Sequence, residues 1–246
     1  MKFNPFIALL LGSLWVGCHQ TSDSPTLSTP SPRFLLTVEG ADVEGRASLD
    51  AADAAGYRRV LWRAGDCVSI FPELNDNHEY QTQADGVNVA EFSRTQRPAI
   101  AGNPPQSHGG VYYAVSPWHA ENRVVDGVIS LHLLAEQSAP ADQPMPEVML
   151  MSSVSDSEDL LLQNNVALLR FRFVQEGLDG LVVERIRITS EAHLLAGRGV
   201  VNPQQAEPSI EIQSESASSK AITFRPEQPE AVKSAAEGYL SYYVAI

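Results

Sequence analysis

Arg33-Phe34-Leu35-Leu36-Thr37-Val38-Glu39 is the stretch that decides the fold class. Phe34, Leu36 and Val38 stand on one parity, and Leu35, Thr37 and Glu39 on the other. A strand points successive side chains to opposite faces, so this alternation buries one face and wets the other. The same period returns where Val111, Tyr113 and Val115 alternate with Tyr112, Ala114 and Ser116, and where Leu169, Phe171 and Phe173 enclose Arg170 and Arg172. Further strands are expected at 57–62, 67–71, 79–83, 87–92, 127–133, 147–151, 183–189, 209–213, 221–224 and 239–246. Between them lie turn-forming runs such as Asp85-Gly86, Gly102-Asn103-Pro104-Pro105 and Asn202-Pro203. Many short strands without long alternating helices point to an all-β antiparallel sandwich. Short helices of a turn or two are expected only at 50–57 and 230–237.

The N-terminus carries a different signal. Met1-Lys2-Phe3-Asn4-Pro5 supplies one positive charge, and Phe6 to Val16 is an apolar run too short to span a bilayer permanently. Residues 1–17 are therefore expected to be a signal peptide. The run ends Leu14-Trp15-Val16-Gly17-Cys18, which resembles a bacterial lipobox, with Trp15 where that pattern prefers Leu. Cys18 is the candidate lipidation site, because a small residue before Cys is what a lipoprotein peptidase requires. The alternative is an ordinary signal peptide that leaves Cys18 near a free N-terminus. Residues 18–32 are polar and proline-rich, as expected of a flexible tether, and 33–246 are expected to form one sandwich domain.

Composition narrows the function. Among 246 residues, 17 basic and 30 acidic side chains give a net charge of −13, with no basic stripe to follow a phosphate backbone. Nucleic acid is not an expected partner. Two cysteines exclude a disulfide framework. Cys67, in Asp66-Cys67-Val68-Ser69-Ile70-Phe71, is expected to be a small buried strand residue, or to bridge to Cys18 if that residue carries no lipid. Spacings for zinc hydrolysis, a nucleophile elbow, a phosphate loop and a dinucleotide fingerprint do not occur. The sequence thus offers no catalytic residues, no metal ligands and no cofactor, and an enzyme is not expected. The six scattered histidines are expected mostly in solvated loops. Asn75-Asp76-Asn77-His78-Glu79 and Asp156-Ser157-Glu158-Asp159 lack the spacing of a calcium loop, and both are expected to be solvated turns. Trp62, Trp118, Tyr112 and Tyr113 are either core aromatics or a platform on which a sugar ring stacks; strand aromatics favour the core.

Several blocks, in order, resemble the fimbrillin family of type V pilus subunits. Leu61-Trp62-Arg63-Ala64-Gly65-Asp66-Cys67-Val68-Ser69-Ile70-Phe71 is similar to its W-x-x-G-D-x-V-x-I-F block, and Tyr112-Tyr113-Ala114-Val115-Ser116-Pro117 to its Y-x-A-V-Y-P block. Gly127-Val128-Ile129-Ser130-Leu131, Val148-Met149-Leu150-Met151-Ser152 and Ile186-Arg187-Ile188-Thr189-Ser190 follow. The resemblance implies a transthyretin-like Greek-key β-sandwich, export to the outer membrane or cell surface as a lipoprotein, and assembly into a fimbrium by strand exchange with other pilus subunits. It also implies an N-terminal plug strand, here Phe34, Leu36 and Val38, released by an arginine-specific protease. Arg46, in Glu44-Gly45-Arg46-Ala47-Ser48, is the candidate processing site, and a plain surface arginine is the alternative. The family's second domain and donor segment are expected to be absent or truncated. Shaft, anchor and tip roles remain open, as do host or bacterial surface ligands, and a stand-alone glycan-binding lipoprotein is the competing reading.

Overall fold

The computed structural model describes residues 33–38, 48–49, 60–74, 76–96, 106–107, 110–174, 180–232 and 239–246. All of these belong to one compact unit, Ser31–Ile246. The expected leader and tether, Cys18, Arg46 and the expected helix at 50–57 lie outside the described residues, as does most of the one at 230–237. Among the described residues the only helix is a 3-10 turn, Pro146–Val148.

The strands are β1 (Arg33–Val38), β2 (Ser48–Leu49), β3 (Val60–Leu61), β4 (Cys67–Phe71), β5 (Glu73–Leu74), β6 (His78–Thr82) and β7 (Val89–Arg94). Next come β8 (Gln106–Ser107), β9 (Tyr112–Ser116), β10 (Arg123–Val125), β11 (Val128–Leu133), β12 (Glu136–Ala139), β13 (Met151–Ser155) and β14 (Asp159–Asn164). The last are β15 (Leu168–Phe173), β16 (Ile186–Thr189), β17 (Gly197–Val201), β18 (Glu211–Ile212), β19 (Ala221–Pro226) and β20 (Leu240–Ala245).

The molecule is all-β, but its first part differs from two open sheets. Seven strands close into a barrel in the order β1-β14-β13-β9-β4-β6-β7, with β7 returning to β1. The expectation of purely antiparallel pairing is corrected too: β1 runs parallel to β14, and β12 parallel to β19. For the barrel the reason is geometric. Strands that alternate in direction around a ring must be even in number, so a seven-membered ring needs at least one parallel ladder.

Inside the barrel Phe34, Leu36, Trp62, Val68, Ile70, Tyr80, Phe92 and Leu162 form a closed core. Their rings meet edge to face: Phe34 lies 5.1 Å from Tyr80 and 5.0 Å from Tyr112, and Trp62 lies 4.9 Å from Phe92. The Trp62 indole Nε1–H donates to the Leu36 carbonyl at 3.2 Å, so the ring is buried without an orphaned donor. After Trp62 the chain reverses through Gly65, whose φ of +98° suits glycine. The Asp66 carboxylate closes that turn by accepting from the Arg63 N–H at 2.8 Å.

The strands β4 and β9 are buried on both faces. Ala114 and Ile70 face the barrel interior, whereas Phe71, Tyr113 and Val115 face a second core with Ile129, Leu131 and Leu150. That core is shared with the sheet β10-β11-β17-β18. A third core, with Phe224, Tyr242 and Val244, joins the sheets β12-β19-β16 and β15-β20. The Gln137 amide stands in for a strand edge there: it donates to the Ala245 carbonyl at 2.9 Å and accepts from the Ala245 N–H at 3.0 Å.

The strand expected at 147–151 begins later, at Met151, because Pro146 opens a 3-10 turn and has no N–H for a ladder. The strand β15 forms as expected, but its faces are mixed. Phe171 and Phe173 are half-buried and Leu169 is exposed. Arg170 is held between faces by Asp142 at 3.7 Å and the Tyr243 ring at 5.5 Å.

Candidate functional site

The strand β1 is the closing stave of the barrel. Its inward residues Phe34, Leu36 and Val38 are buried, and they alternate with Leu35 at 43% exposure. On one side it pairs with β7, Phe34 opposite Phe92 and Leu36 opposite Ala90. On the other it pairs with β14, Leu36 opposite Leu160 and Val38 opposite Leu162. Backbone bonds from the Leu35 N–H to the Glu158 carbonyl (3.0 Å) and from the Val38 N–H to the Asn88 carbonyl (3.1 Å) continue the two ladders. Burying three such side chains is worth about 1.5–3 kcal/mol each, so the strand is firmly held while it remains part of the chain.

The geometry left without β1 is equally defined. The six strands from β14 round to β7 are joined by antiparallel ladders only. They would keep their own pairing and expose two edges, together with Tyr80, Phe92, Leu160 and Leu162 from the core. Outside, Leu35, Val89 and Leu161 are exposed, and Thr37 lies directly between the last two. The Arg33–Glu91 pair at 2.9 Å crosses from β1 to β7 with both side chains exposed, and such a pair contributes little to holding the strand.

The other residues singled out in the sequence are dispersed. Trp62 is fully buried, Tyr113 is buried, and Tyr112 packs on Phe34. They belong to the cores, and Trp62 cannot offer a face to a sugar. Cys67 is half-buried instead of buried: its Sγ lies 3.3 Å from the Gly65 carbonyl and 3.5 Å from Gln81 Nε2. Among the described residues no group of three His, Cys, Asp or Glu side chains is placed to hold a metal ion.

The segment 76–79 corrects the expectation of a solvated turn. Asn77, His78 and Glu79 are buried. The Asn77 amide donates to the His119 carbonyl at 2.8 Å and the Asn122 carbonyl at 3.3 Å, and the buried Asn122 amide donates to Ser69 Oγ and the Pro117 carbonyl, each at 3.0 Å. This polar knot ties the loop after β9 to β4 and β6. Polar residue types alone suggest solvent, and the partners of Asn77 lie 42 and 45 residues further along the chain, so no local pattern marks the network. Burial pushes the His78 imidazole below its ordinary value, the Arg94 charge acts in the same direction, and Asp76 opposes both. Burial likewise raises the Tyr80 phenol.

Comparison with protein-family profiles, curated proteins and solved structures finds no match to this chain.

Proposed function

We propose that this chain is a structural subunit or accessory adhesin of a bacterial surface pilus, lipid-anchored through Cys18 and assembled by exchange of β1 for a strand of another subunit. The observation that carries the reading is the position of β1. It is one strand, apolar on its inner parity, inserted between two strands that are otherwise linked all the way round by antiparallel ladders. The fimbrillin-like blocks supply the role, and in that reading the sandwich of the family corresponds to this barrel opened at β1.

The physics of exchange is simple. A covalently tethered strand has a high effective concentration at its own groove, so no free strand displaces it. Cleavage at Arg46 turns the same strand into a dissociable ligand. The vacated edges of β7 and β14, with the apolar floor between them, then form a template for strand addition. Until that cut, lipidation at Cys18 would keep the precursor at the outer membrane, with residues 19–32 as spacer. Because Cys18 precedes Arg46, the anchor leaves together with β1 when the strand is exchanged.

Limited digestion with an arginine-specific protease tests the reading. Cleavage after Arg46 should yield protein that loses residues 33–46 and then either polymerises or binds a synthetic peptide of residues 33–39. Trimmed protein that stays monomeric, keeps its melting temperature and ignores the peptide would refute strand exchange. Acyl mass on the N-terminal peptide, with membrane association abolished by Cys18→Ala, is the corresponding test of the anchor.

A further inference from the structure

The outer wall of the barrel at β6 and β7 carries an open groove of about 550 Å³, within the size range of small-ligand sites. Its lining is unusual in composition. Gln81, Gln83 and Gln96 contribute amides, Ser93 and Thr95 hydroxyls, and Arg94 and Glu91 one charge of each sign. Ala84 is the sole apolar residue among the described lining.

Part of this lining is already fixed in place. The Gln81 amide donates to the Gly65 carbonyl at 3.1 Å, and the Gln83 amide donates to Gln81 Oε1 at 3.3 Å. Thr95 Oγ1 donates to the buried Glu79 carboxylate at 2.8 Å. Gln81 and Ser93 stand directly opposite each other on the paired strands. Gln83 Oε1 and the side chains of Ser93, Arg94 and Gln96 have no hydrogen bond among the described residues, so donors and acceptors remain available to a ligand.

That chemistry discriminates between ligand classes. The aliphatic stems of the glutamines and Arg94, with Ala84, put carbon surface beside the polar ends, which suits a ligand with CH faces and hydroxyls better than a purely apolar one. The charged groups an anion would meet are Arg94 and a Glu91 carboxylate already paired with Arg33. A planar amide offers a donor and an acceptor side by side, which matches adjacent hydroxyls on a sugar ring. We propose that the β6–β7 groove is a binding site for a neutral saccharide. It uses none of the aromatic residues that the sequence suggested for a sugar platform, and it does not depend on exchange of β1.

The test is a printed array of defined neutral and sialylated oligosaccharides probed with the purified full chain. Neutral glycans should bind, and Gln83→Ala, Ser93→Ala and Gln96→Ala should each weaken apparent affinity about three- to tenfold, the loss of one or two neutral hydrogen bonds. The exposed Gln204→Ala should bind as the parent does, and all four variants should melt with it. No binding to any neutral glycan, preference for sialylated ones, or undiminished binding by the three groove variants would overturn the proposal.

Discussion

Replacing Leu36 by Ala separates the inner face of β1 from its outer face. Leu36 is fully buried, opposite Ala90 on one side and Leu160 on the other, and its carbonyl receives the Trp62 indole N–H. Truncation removes three carbons. At about 0.8 kcal/mol per buried methylene the transfer loss alone is roughly 2.4 kcal/mol, and incomplete collapse of the closed barrel raises the expected cost to about 2.7–5 kcal/mol. The neighbouring Leu35 is 43% exposed, so Leu35→Ala should stay within about 1 kcal/mol of the parent. Urea denaturation followed by tryptophan fluorescence reads both, as a lowered midpoint at unchanged slope. On protein cleaved after Arg46, Leu36→Ala should also speed uptake of a labelled peptide of residues 33–39, because the resident strand leaves sooner. A cost below about 1 kcal/mol for Leu36→Ala, or equal costs for the two leucines, would refute the assignment of β1 as a strand held by its Phe34, Leu36 and Val38 face.

Two other perturbations follow from the described contacts. Gln137→Leu leaves the N–H and carbonyl of the buried Ala245 without their side-chain partner; at about 1–3 kcal/mol per orphaned group, a loss of roughly 2–6 kcal/mol is expected in urea denaturation, and a neutral outcome would show that β20 does not need this clamp. His78 is held below its ordinary value chiefly by burial, so the unfolded chain binds its proton first as pH falls; stability from this group is present above the unfolded value of about 6.5 and is lost as pH drops from there toward the folded value. His78→Gln should therefore flatten the stability profile between about pH 7.5 and 5.5, and an unchanged slope would remove His78 as its source.

The sequence made the strands with clean alternation legible, and the reasons for the failures are specific. In β1, each inward position is apolar and each strand neighbour supplies an apolar partner, so period two survives intact. The strand Asp159–Asn164 escaped notice because Leu160-Leu161-Leu162 hides the alternation: Leu160 and Leu162 are buried and Leu161 is 48% exposed. Ser152 and Ser153 in β13 are both buried, beside Val115 and Ala114 on opposite faces of the strand, so a polar pattern concealed a central strand. In β17, Gly197 and Gly199 argue against a strand by propensity. Yet a Cβ on Gly199 would collide with Ile210, which shows the glycine is there for close approach of the following segment. Barrel closure itself has no local signature, since the β1–β14 ladder joins residues far apart in the chain. The β6–β7 groove was equally hidden, because its side chains look like ordinary wet strand residues until the register sets Gln81 beside Ser93.

The parity of the barrel bears on what can replace β1. Five antiparallel ladders lead from β14 to β7, so these two strands run in opposite directions. Any strand entering between them therefore forms one parallel and one antiparallel ladder, whichever way it runs. The two directions exchange which neighbour receives the parallel ladder, and parallel pairing is only slightly weaker per residue. Backbone energetics thus select weakly for direction. Selection falls instead on side chains that fill the places of Phe34, Leu36 and Val38, because a one-residue slip would turn the whole apolar set outward. A donor for this groove is accordingly defined by three apolar residues at alternate positions, with the one that takes the place of Phe34 large enough to meet Tyr80 and Tyr112.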